Sequence, residues 1–584
     1  MPAHPTRRSL LGAAATAAAS AGLLGACSGS GSAGHAGPGH AGPGHGGAAP
    51  SPSSPADTKG FVAPYDKEVA AAEAARGSGP VRSVRLTAAP ATLDLGAGAT
   101  VRSWAYGDSL PGKEVRVTAG DTLALTLANH LPAATSLHWH GLSLRNDMDG
   151  VPGLTQREIK PGADFTYRFT AAHPGTYWFH PHSGVQQDRG LYAPLIVEDP
   201  REPLKYDKEW VVVLDDWVDG VDGSTPDAVL AELSRGMGGT DHGGTGGGGH
   251  GGTDDGGHGS TGGRDHAGIG GGGHSGHSAA APGSATTAPP AGPSRMMMGA
   301  TSDLLGGDAG DVAYPHHLVN GRTAQAPSVF RARPGDRIRI RLINAGGDTA
   351  YRVALGGHRM TVTHTDGFPV EHATADALLL GMGERYDVLV TAGDGVFPLT
   401  ALAEGKKASA MALLRTGGGA APGAAVRPGE LSGKVLTADR LRAAAAVALP
   451  ARSSDRTIRI RLTGQMARYD WAFDGRPYSP DRRHAVRAGE RVRLVFTNAT
   501  TMWHPLHLHG HTFALANSAI GAAGASGAAR AARAAGARKD TAVILPNGRL
   551  TVDFDADNPG LWMIHCHNVY HAEAGMMTVL GYRR

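Results

Sequence analysis

Short segments in which apolar and polar residues alternate begin at about residue 81 and continue to the C-terminus. Examples are residues 115–118, which read Val-Arg-Val-Thr, and residues 458–462, which read Ile-Arg-Ile-Arg-Leu. Alternation with a period of two, between turns rich in Gly, Pro and Asp, is typical of half-buried β-strands. The pattern predicts an all-β protein built from β-sandwiches.

One phrase recurs three times: a strand, a Gly-Asp or Gly-Glu turn, a second strand and an Asn. It begins at Val115 (VRVTAGDTLALTLAN), at Phe330 (FRARPGDRIRIRLINAG) and at His484 (HAVRAGERVRLVFTNAT). Such a repeat indicates a tandem of related domains, and a length of 584 residues is enough for several. The predicted blocks cover residues 81–202, 203–425 and 426–584.

Two stretches lack this periodicity, which fits the high glycine content of 87 residues. Residues 28–80 are rich in Gly, Ala, Pro and His and predict a disordered tether. Residues 236–299, within the second block, are rich in Gly, His and Asp and predict a disordered surface loop.

The N-terminus resembles an export signal. Arg7 and Arg8 precede an apolar stretch that ends at Leu24, as in a twin-arginine signal. The following LGAC, ending at Cys27, resembles a bacterial lipobox, in which the Cys is lipidated; ordinary signal cleavage is the alternative. We therefore expect residues 1–27 to be a signal, and the protein to be exported and lipid-anchored at the outer face of the bacterial cell membrane.

Charge and cysteine content exclude other classes. Lys and Arg number 55 against 52 Asp and Glu, a formal charge of +3, so nothing indicates nucleic-acid binding or a polybasic membrane surface. The only cysteines are Cys27 and Cys566, which rules out a disulfide framework. Each cysteine instead lies in a motif of its own.

Four segments carry histidines at metal-ligand spacing. An HxH pair on a strand places both imidazoles on one face, where both can reach one site. A single pair is often a solvated or core pair, but four clusters in this order indicate a metal centre. They are His138 and His140; His180 and His182; His504, His507 and His509; and His565, Cys566 and His567, followed by His571 and Met576.

The last cluster predicts two sites on one strand. His565 and His567 face one way, and Cys566 faces the other. Cys566, His571, Met576 and one distant His form the two-His, one-Cys, weak-Met set of a blue-copper electron-transfer centre. The other histidines have no thiolate partner and suit a copper cluster with room for oxygen.

With these motifs the chain resembles the multicopper oxidases, a family that includes laccases, bacterial cuprous oxidases, bilirubin oxidase and ascorbate oxidase. The resemblance covers about Val81 to Leu580. It implies three tandem cupredoxin-like Greek-key domains and four copper ions, with the middle domain acting as a spacer and part of the substrate cleft. The implied ligands are His504, Cys566, His571 and axial Met576 for type 1; His138 and His507 for type 2; and His140, His180, His182, His509, His565 and His567 for the type 3 pair.

The resemblance also implies a reaction. A small reducing substrate reduces the type 1 copper, electrons cross Cys566 to His565 and His567, and four of them reduce O2 to water. Asp149 matches an acid that supplies protons in bacterial members; the alternative is a turn residue before Gly. A second acid follows the last type 1 His directly in some members, but Ala572 stands there, with Glu573 next, so this proton route is left open.

The substrate is not fixed by the sequence. An axial Met implies a lower type 1 potential, which suits Cu(I) and electron-rich phenols. The 236–299 segment is either a copper-capturing flap or a solubilising linker. Imidazole and thioether are copper-binding groups, but no individual ligand is assigned in this segment, which carries His242, His250, His258, His266, His274 and His277 and ends with Met296, Met297 and Met298. Three hypotheses follow: a cuprous oxidase in copper tolerance, a laccase-like phenol oxidase, or an envelope copper-sequestering protein.

Overall fold

The computed structural model describes residues 59–236, 292–517 and 536–584. The predicted signal (1–27), the first part of the tether and the six histidines of the predicted loop lie outside these residues. The predicted all-β class is confirmed, and none of the described helices is long and apolar enough to cross a membrane. The helices are α1 (Lys67–Ala75), α2 (Pro226–Ser234) and α3 (Val569–Ala574), with 3-10 turns at Asn146–Met148, Gln186–Arg189, Asp303–Leu305, Gly429–Ser432 and Ala438–Arg440.

The first sandwich has two four-stranded sheets, with strand orders β2-β1-β4-β6 and β3-β8-β7-β5. Leu125 from one sheet and Phe179 from the other are fully buried in the same apolar cluster, which joins the two sheets. Its strands are β1 (Val81–Gly96), β2 (Ala99–Tyr106), β3 (Val115–Thr118), β4 (Thr122–Asn129), β5 (His138–His140), β6 (Asp164–Thr170), β7 (Gly175–His180) and β8 (Ala193–Glu198).

The second sandwich has a seven-stranded sheet, β13-β12-β9-β15-β20-β17-β18, and a six-stranded one, β14-β22-β21-β16-β19-β23. Strands β10 and β11 form a separate small hairpin. The bounds are β9 (Lys208–Trp217), β10 (Thr301–Ser302), β11 (Gly307–Asp308), β12 (His316–Val319), β13 (Arg322–Thr323), β14 (Val329–Arg331), β15 (Arg337–Asn344), β16 (Tyr351–Leu355), β17 (Met360–Thr365), β18 (Phe368–Ala375), β19 (Ala377–Leu380), β20 (Arg385–Thr391), β21 (Val396–Ala403), β22 (Ala408–Arg415) and β23 (Val435–Leu436).

The third sandwich has a six-stranded sheet, β25-β24-β27-β32-β29-β30, and a five-stranded one, β26-β34-β33-β28-β31. The bounds are β24 (Arg456–Thr463), β25 (Ala472–Phe473), β26 (Arg483–Val486), β27 (Arg491–Asn498), β28 (His504–Leu508), β29 (Phe513–Asn517), β30 (Arg538–Lys539), β31 (Thr541–Ile544), β32 (Arg549–Asp555), β33 (Leu561–Cys566) and β34 (Met577–Tyr582).

The sequence repeat corresponds to one structural unit that occurs in all three sandwiches. The second strand of the unit, β4, β15 or β27, pairs in parallel with β1, β9 or β24. The acid of each turn, Asp121, Asp336 or Glu490, accepts a hydrogen bond from the backbone N–H three residues before it. This contact closes the turn and explains why Asp or Glu follows the Gly.

The Asn that ends each unit also has the same role three times. The side-chain amides of Asn129, Asn344 and Asn498 each donate to two backbone carbonyls, and each Oδ1 accepts from the N–H two residues on. All three side chains are buried. An Asn that satisfies three buried backbone groups fixes the loop that leaves the strand.

Part of the predicted tether is ordered, so its predicted boundary at residue 80 is corrected. Helix α1 buries Val69 to 1% exposure against the apolar core. The Glu73 carboxylate accepts from Thr170 N–H at 2.7 Å, and Arg76 donates to Asn558 Oδ1 at 2.8 Å. The Ala-rich composition did not predict this helix, because its apolar side is stabilised only by packing against the core of the folded protein.

Two other boundaries differ from the prediction. Strand β23 pairs in parallel with β19, so the sheet of the second sandwich continues past residue 425. The end of the predicted loop is ordered from residue 292, where Met296 bridges to Val312 and Met297 N–H donates to the Asp311 carbonyl at 2.7 Å. Composition did not show either pairing, because each depends on a distant backbone partner.

Candidate metal centre

The histidine motifs lie on two pairs of neighbouring strands. In the first sandwich β5 pairs with β7, and His138 lies opposite His180. In the third sandwich β28 pairs with β33, and His507 lies opposite His565. Cross-strand neighbours project to the same side of a sheet, so each strand pair presents imidazoles from two motifs together.

Eight histidines from the two sandwiches converge on one region. All are buried except His182, which is half-buried. Within each of three sets, two of which share His140, one ligand atom per residue lies within 4.8 Å of the others. The sets are His140, His180 and His567; His182, His509 and His565; and His138, His140 and His507.

The donor atoms fit bound metal ions. In several of these rings Nδ1 forms a hydrogen bond with a backbone carbonyl. His138 bonds to the Asp149 carbonyl at 2.8 Å, His180 to that of Pro181 at 3.1 Å and His565 to that of Cys566 at 2.8 Å. A carbonyl can only accept, so Nδ1 carries the hydrogen and Nε2 keeps a free lone pair. The Nε2 atoms without a hydrogen-bond partner are those of His138, His180, His182, His507, His509 and His565. Buried nitrogens without partners are costly, and shared metal ions would satisfy them.

The protonation state also suits metal binding. Burial, reinforced by the neighbouring imidazoles, holds the pKa values of six of these histidines well below the usual range. Neutral imidazole is the form that binds metal. The six are His140, His180, His182, His509, His565 and His567.

A second group contains the thiol. Cys566 Sγ lies 3.6 Å from His504 Nδ1 and 3.7 Å from His571 Nδ1, and the two nitrogens are 3.1 Å apart. The Met576 carbonyl accepts from Cys566 N–H at 3.1 Å, and the Met576 side chain is fully buried. The Trp471 ring covers His571 at 4.5 Å between centroids. This dry set of one sulfur and two nitrogens fits a copper ion.

The outer nitrogens of this group are held by polar partners. His504 Nε2 lies 2.9 Å from Thr500 Oγ1, and His571 Nε2 lies 2.9 Å from Asp311 Oδ2. Partners of this kind fix ring orientation and leave Nδ1 for a metal. Asp311 belongs to the middle sandwich, and no motif in the sequence pointed to it.

Asp149 lies among the imidazoles and is fully buried. Its Oδ2 lies 2.9 Å from His509 Nδ1, while Oδ1 has no hydrogen-bond partner and lies 3.3 Å from His138 Nδ1. It is therefore no ordinary turn residue. Glu573 lines a cavity together with His180, His182, His565 and His567, and burial raises the pKa of its carboxyl.

The middle sandwich also reaches the eight-histidine region. Gly383 has φ +83°, and a Cβ there would lie 2.9 Å from His140 Cε1 and 3.0 Å from His567 Cδ2. Arg385 donates to both oxygens of Asp540, at 2.7 and 2.6 Å. Burial would raise the pKa of Asp540, but Arg385 outweighs it and holds that pKa well below its usual range. Sequence reasoning found none of these residues, because they carry no motif.

Comparison with known proteins agrees with this geometry. Family models described as multicopper oxidase match residues 88–202, 297–419 and 452–583. Multicopper oxidase MmcO of Mycobacterium tuberculosis is 45% identical over 88% of this chain and 89% of its own length. Copper resistance protein A of Escherichia coli is 27% identical over 80% and 87% of the two chains.

A crystal structure of a multicopper oxidase from Pseudomonas thermotolerans superposes with a TM-score of 0.60 at 25% identity, covering 86% of this chain and 99% of the other. The match thus extends over most of this chain and nearly all of the other. Together these findings show that the chain belongs to the multicopper oxidase family, whose enzymes use copper to couple oxidation of a reducing substrate to reduction of O2.

Proposed function

We propose that this protein is an exported multicopper oxidase that takes electrons singly from Cu(I) or a phenol and uses four of them to reduce O2 to water. The observation that carries the proposal is the convergence of unpartnered imidazole nitrogens beside the His504–Cys566–His571 group. Cys566 is covalently adjacent to His565 and His567, so an electron needs to cross only one residue boundary between the two groups.

The proposed ligand assignment follows the atom groups. Copper bound at these positions would supply one-electron transfer and the binding and reduction of O2. Type 1 copper would be held by His504, Cys566 and His571, with the buried Met576 as a weaker further ligand. Type 2 copper would be held by His138 and His507, and the type 3 pair by His140, His180 and His567 and by His182, His509 and His565.

Asp149 is proposed to handle protons at this site. Its Oδ2 is engaged by His509, which fixes the carboxylate, and its Oδ1 has no partner. An oxygen in that position can hold a proton, or a water that carries one, beside His138. It can then supply that proton when O2 is reduced. Glu573 lines the cavity on the His182 and His567 side, and it is the second candidate for proton supply.

Cu(I) is the donor that we propose, and a segment with three methionines supports this choice. Met297 N–H donates to the Asp311 carbonyl, and the Asp311 carboxylate forms a hydrogen bond with His571, one of the two histidines beside Cys566. Asp311 therefore links the segment of Met296, Met297 and Met298 to a candidate type 1 ligand, and Met298 is 60% exposed. Thioether sulfur favours Cu(I). Detoxification of Cu(I) would give the enzyme a role in copper tolerance.

The test is O2 uptake by the copper-loaded protein with Cu(I) and, separately, with a dimethoxyphenol. The variant replaces Met296, Met297 and Met298 with Leu, which keeps volume and apolarity but removes sulfur. We expect Cu(I) oxidation to fall while phenol oxidation is unchanged. Equal rates in variant and parent would contradict the role of the methionines. Absence of catalytic O2 uptake with either donor would instead support copper sequestration.

Export and lipid attachment at Cys27 belong to the same proposal and rest on the sequence of residues 1–27. Replacing Cys27 with Ser should move the protein from the membrane fraction to the extracellular medium without changing O2 uptake. A Cys27→Ser protein that still fractionates with membranes would remove the lipid anchor from the proposal.

A further inference from the structure

We propose that Arg385, Asp540 and Thr541 form a positioning relay that fixes which ring nitrogen of His140 and of His507 faces the copper cluster. This inference rests on the proposed trinuclear copper site. It gives the middle sandwich, which carries none of the proposed ligands, a direct influence on two of them.

The relay begins with a fully buried ion pair. Arg385, Asp540 and the histidines they approach have essentially no solvent exposure. Arg385 is held by the carbonyls of Thr176, at 3.1 Å, and of Gly383, at 3.0 Å, so its fork points at Asp540. A bidentate Arg–carboxylate pair is geometrically strict, and it fixes the orientation of the Asp540 side chain.

The second step is the Thr541 hydroxyl. Its Oγ1 donates to Asp540 Oδ1 at 2.8 Å. A hydroxyl has one hydrogen, so toward its other neighbours Oγ1 can only accept. Those neighbours are His140 Nε2, at 3.0 Å, and His507 Nδ1, at 3.1 Å. Both rings must therefore present an N–H to Thr541.

The consequence is opposite for the two rings. His507 carries its hydrogen on Nδ1 and leaves Nε2 free, whereas His140 carries it on Nε2 and leaves Nδ1 free. The free His140 Nδ1 lies 3.2 Å from His567 Nε2, and His507 Nε2 has no partner. The two rings stack with their centroids 3.8 Å apart and an interplanar angle of 12°. This arrangement lets the one Thr541 hydroxyl contact both rings and fix the position of the hydrogen on each.

An independent contact supports the assignment for His507. Its Nδ1 also lies 3.0 Å from the Asp540 backbone carbonyl, which can only accept. His507 therefore has two acceptors that hold the Nδ1 hydrogen. His140 has Thr541 and, at 3.2 Å, Asp540 Oδ1. Loss of the Thr541 hydroxyl would leave His507 its hydrogen bond to the Asp540 carbonyl, but would leave His140 only the longer approach to Asp540 Oδ1, so His140 should be released more than His507.

The test uses Thr541→Val, which removes the acceptor, and Thr541→Ser, which keeps it. A matched control is Glu404→Gln, because Glu404 forms another bidentate pair of the middle sandwich, with Arg352 at 2.7 and 2.6 Å, and contacts no proposed ligand. The measurements on copper-loaded protein are copper per chain, the EPR signal of the cluster, copper release to a chelator, and the blue type 1 absorption.

We expect Thr541→Val to retain copper at the cluster about 10- to 100-fold less tightly, with an altered EPR signal and unchanged blue absorption. Thr541→Ser and Glu404→Gln should match the parent. Parent-like retention and EPR in Thr541→Val would overturn the relay, as would equal copper loss in Thr541→Val and Glu404→Gln, which would indicate general destabilisation. A parent protein that binds only type 1 copper would instead refute the proposed cluster, and the relay with it.

Discussion

The outer sandwiches and the middle sandwich are built from the same strand, turn, strand and Asn unit, yet they contribute to the metal centre in different ways. Every proposed ligand comes from the first or the third sandwich. The middle sandwich contributes Asp311 behind His571, Arg385 behind Asp540, and Gly383 against two imidazoles. Ligand identity thus resides in the outer sandwiches, and much of the ligand orientation is set by the middle one.

The strongest test of this division is Gly383→Ala. The added Cβ would meet His140 and His567 at 2.9 and 3.0 Å, so the rings or the backbone must move. We expect the free energy of unfolding to fall by about 1–3 kcal/mol from overpacking, with loss of copper from the cluster. Gly335→Ala is the control, because Gly335 also has positive φ, +87°, but open space around it. Equal effects in both would mean that only backbone strain matters.

A smaller effect is expected from Asp311→Asn. The amide oxygen can still accept a hydrogen bond from His571, but the negative charge next to this candidate type 1 ligand is lost. Removing a negative charge should disfavour the oxidised metal and raise the type 1 reduction potential, which a redox titration of the blue absorption would measure. Asp303→Asn, at an exposed position eight residues away in the chain, is the control and should leave the potential unchanged. A lower potential in Asp311→Asn would contradict the electrostatic role.

The smallest effect on the metal centre is expected from a change within the middle sandwich alone. Burial lowers the pKa of His317 to about 3, below the usual 6.5, and the ring pairs with the Tyr351 hydroxyl at 2.8 Å. Between these two pH values His317 binds a proton in the unfolded chain but not in the folded protein. The contribution of the neutral, buried ring to the free energy of unfolding is therefore complete above pH 6.5 and is lost as the pH falls towards 3. The slope is up to about 1.4 kcal/mol per pH unit.

Chemical denaturation of copper-free protein at several pH values would measure this slope. Replacing His317 with Gln should flatten it by the same amount in copper-free and copper-loaded protein, because His317 contacts no proposed ligand. A difference that appears only with copper bound would couple His317 to the metal centre and weaken the division between the sandwiches.

Sequence reasoning recovered what local chemistry encodes. Strand alternation identified β3 and β24, and the repeat anticipated the unit that ends in Asn129, Asn344 and Asn498. The histidine spacings anticipated which side chains converge, because strand geometry alone brings HxH pairs to one face. The assignment of those side chains to particular copper ions is still a prediction.

Contacts across long separations could not be predicted in this way. Arg385 and Asp540 are 155 residues apart, and Asp311 and His571 are 260 apart, with no repeat or motif that links them. Helix α1 was missed for a related reason. Its Ala-rich sequence resembles a tether until Val69 meets a core that only the folded protein supplies.

That helix has a consequence for how the metal centre is assembled. Glu73 binds Thr170 of the first sandwich, and Arg76 binds Asn558 of the third, so α1 joins the two sandwiches that each hold four of the eight proposed cluster histidines. Such a cross-link raises the effective concentration of one half-site for the other. Less of the binding energy of copper is then spent on bringing the halves together, and more is left to hold the metal.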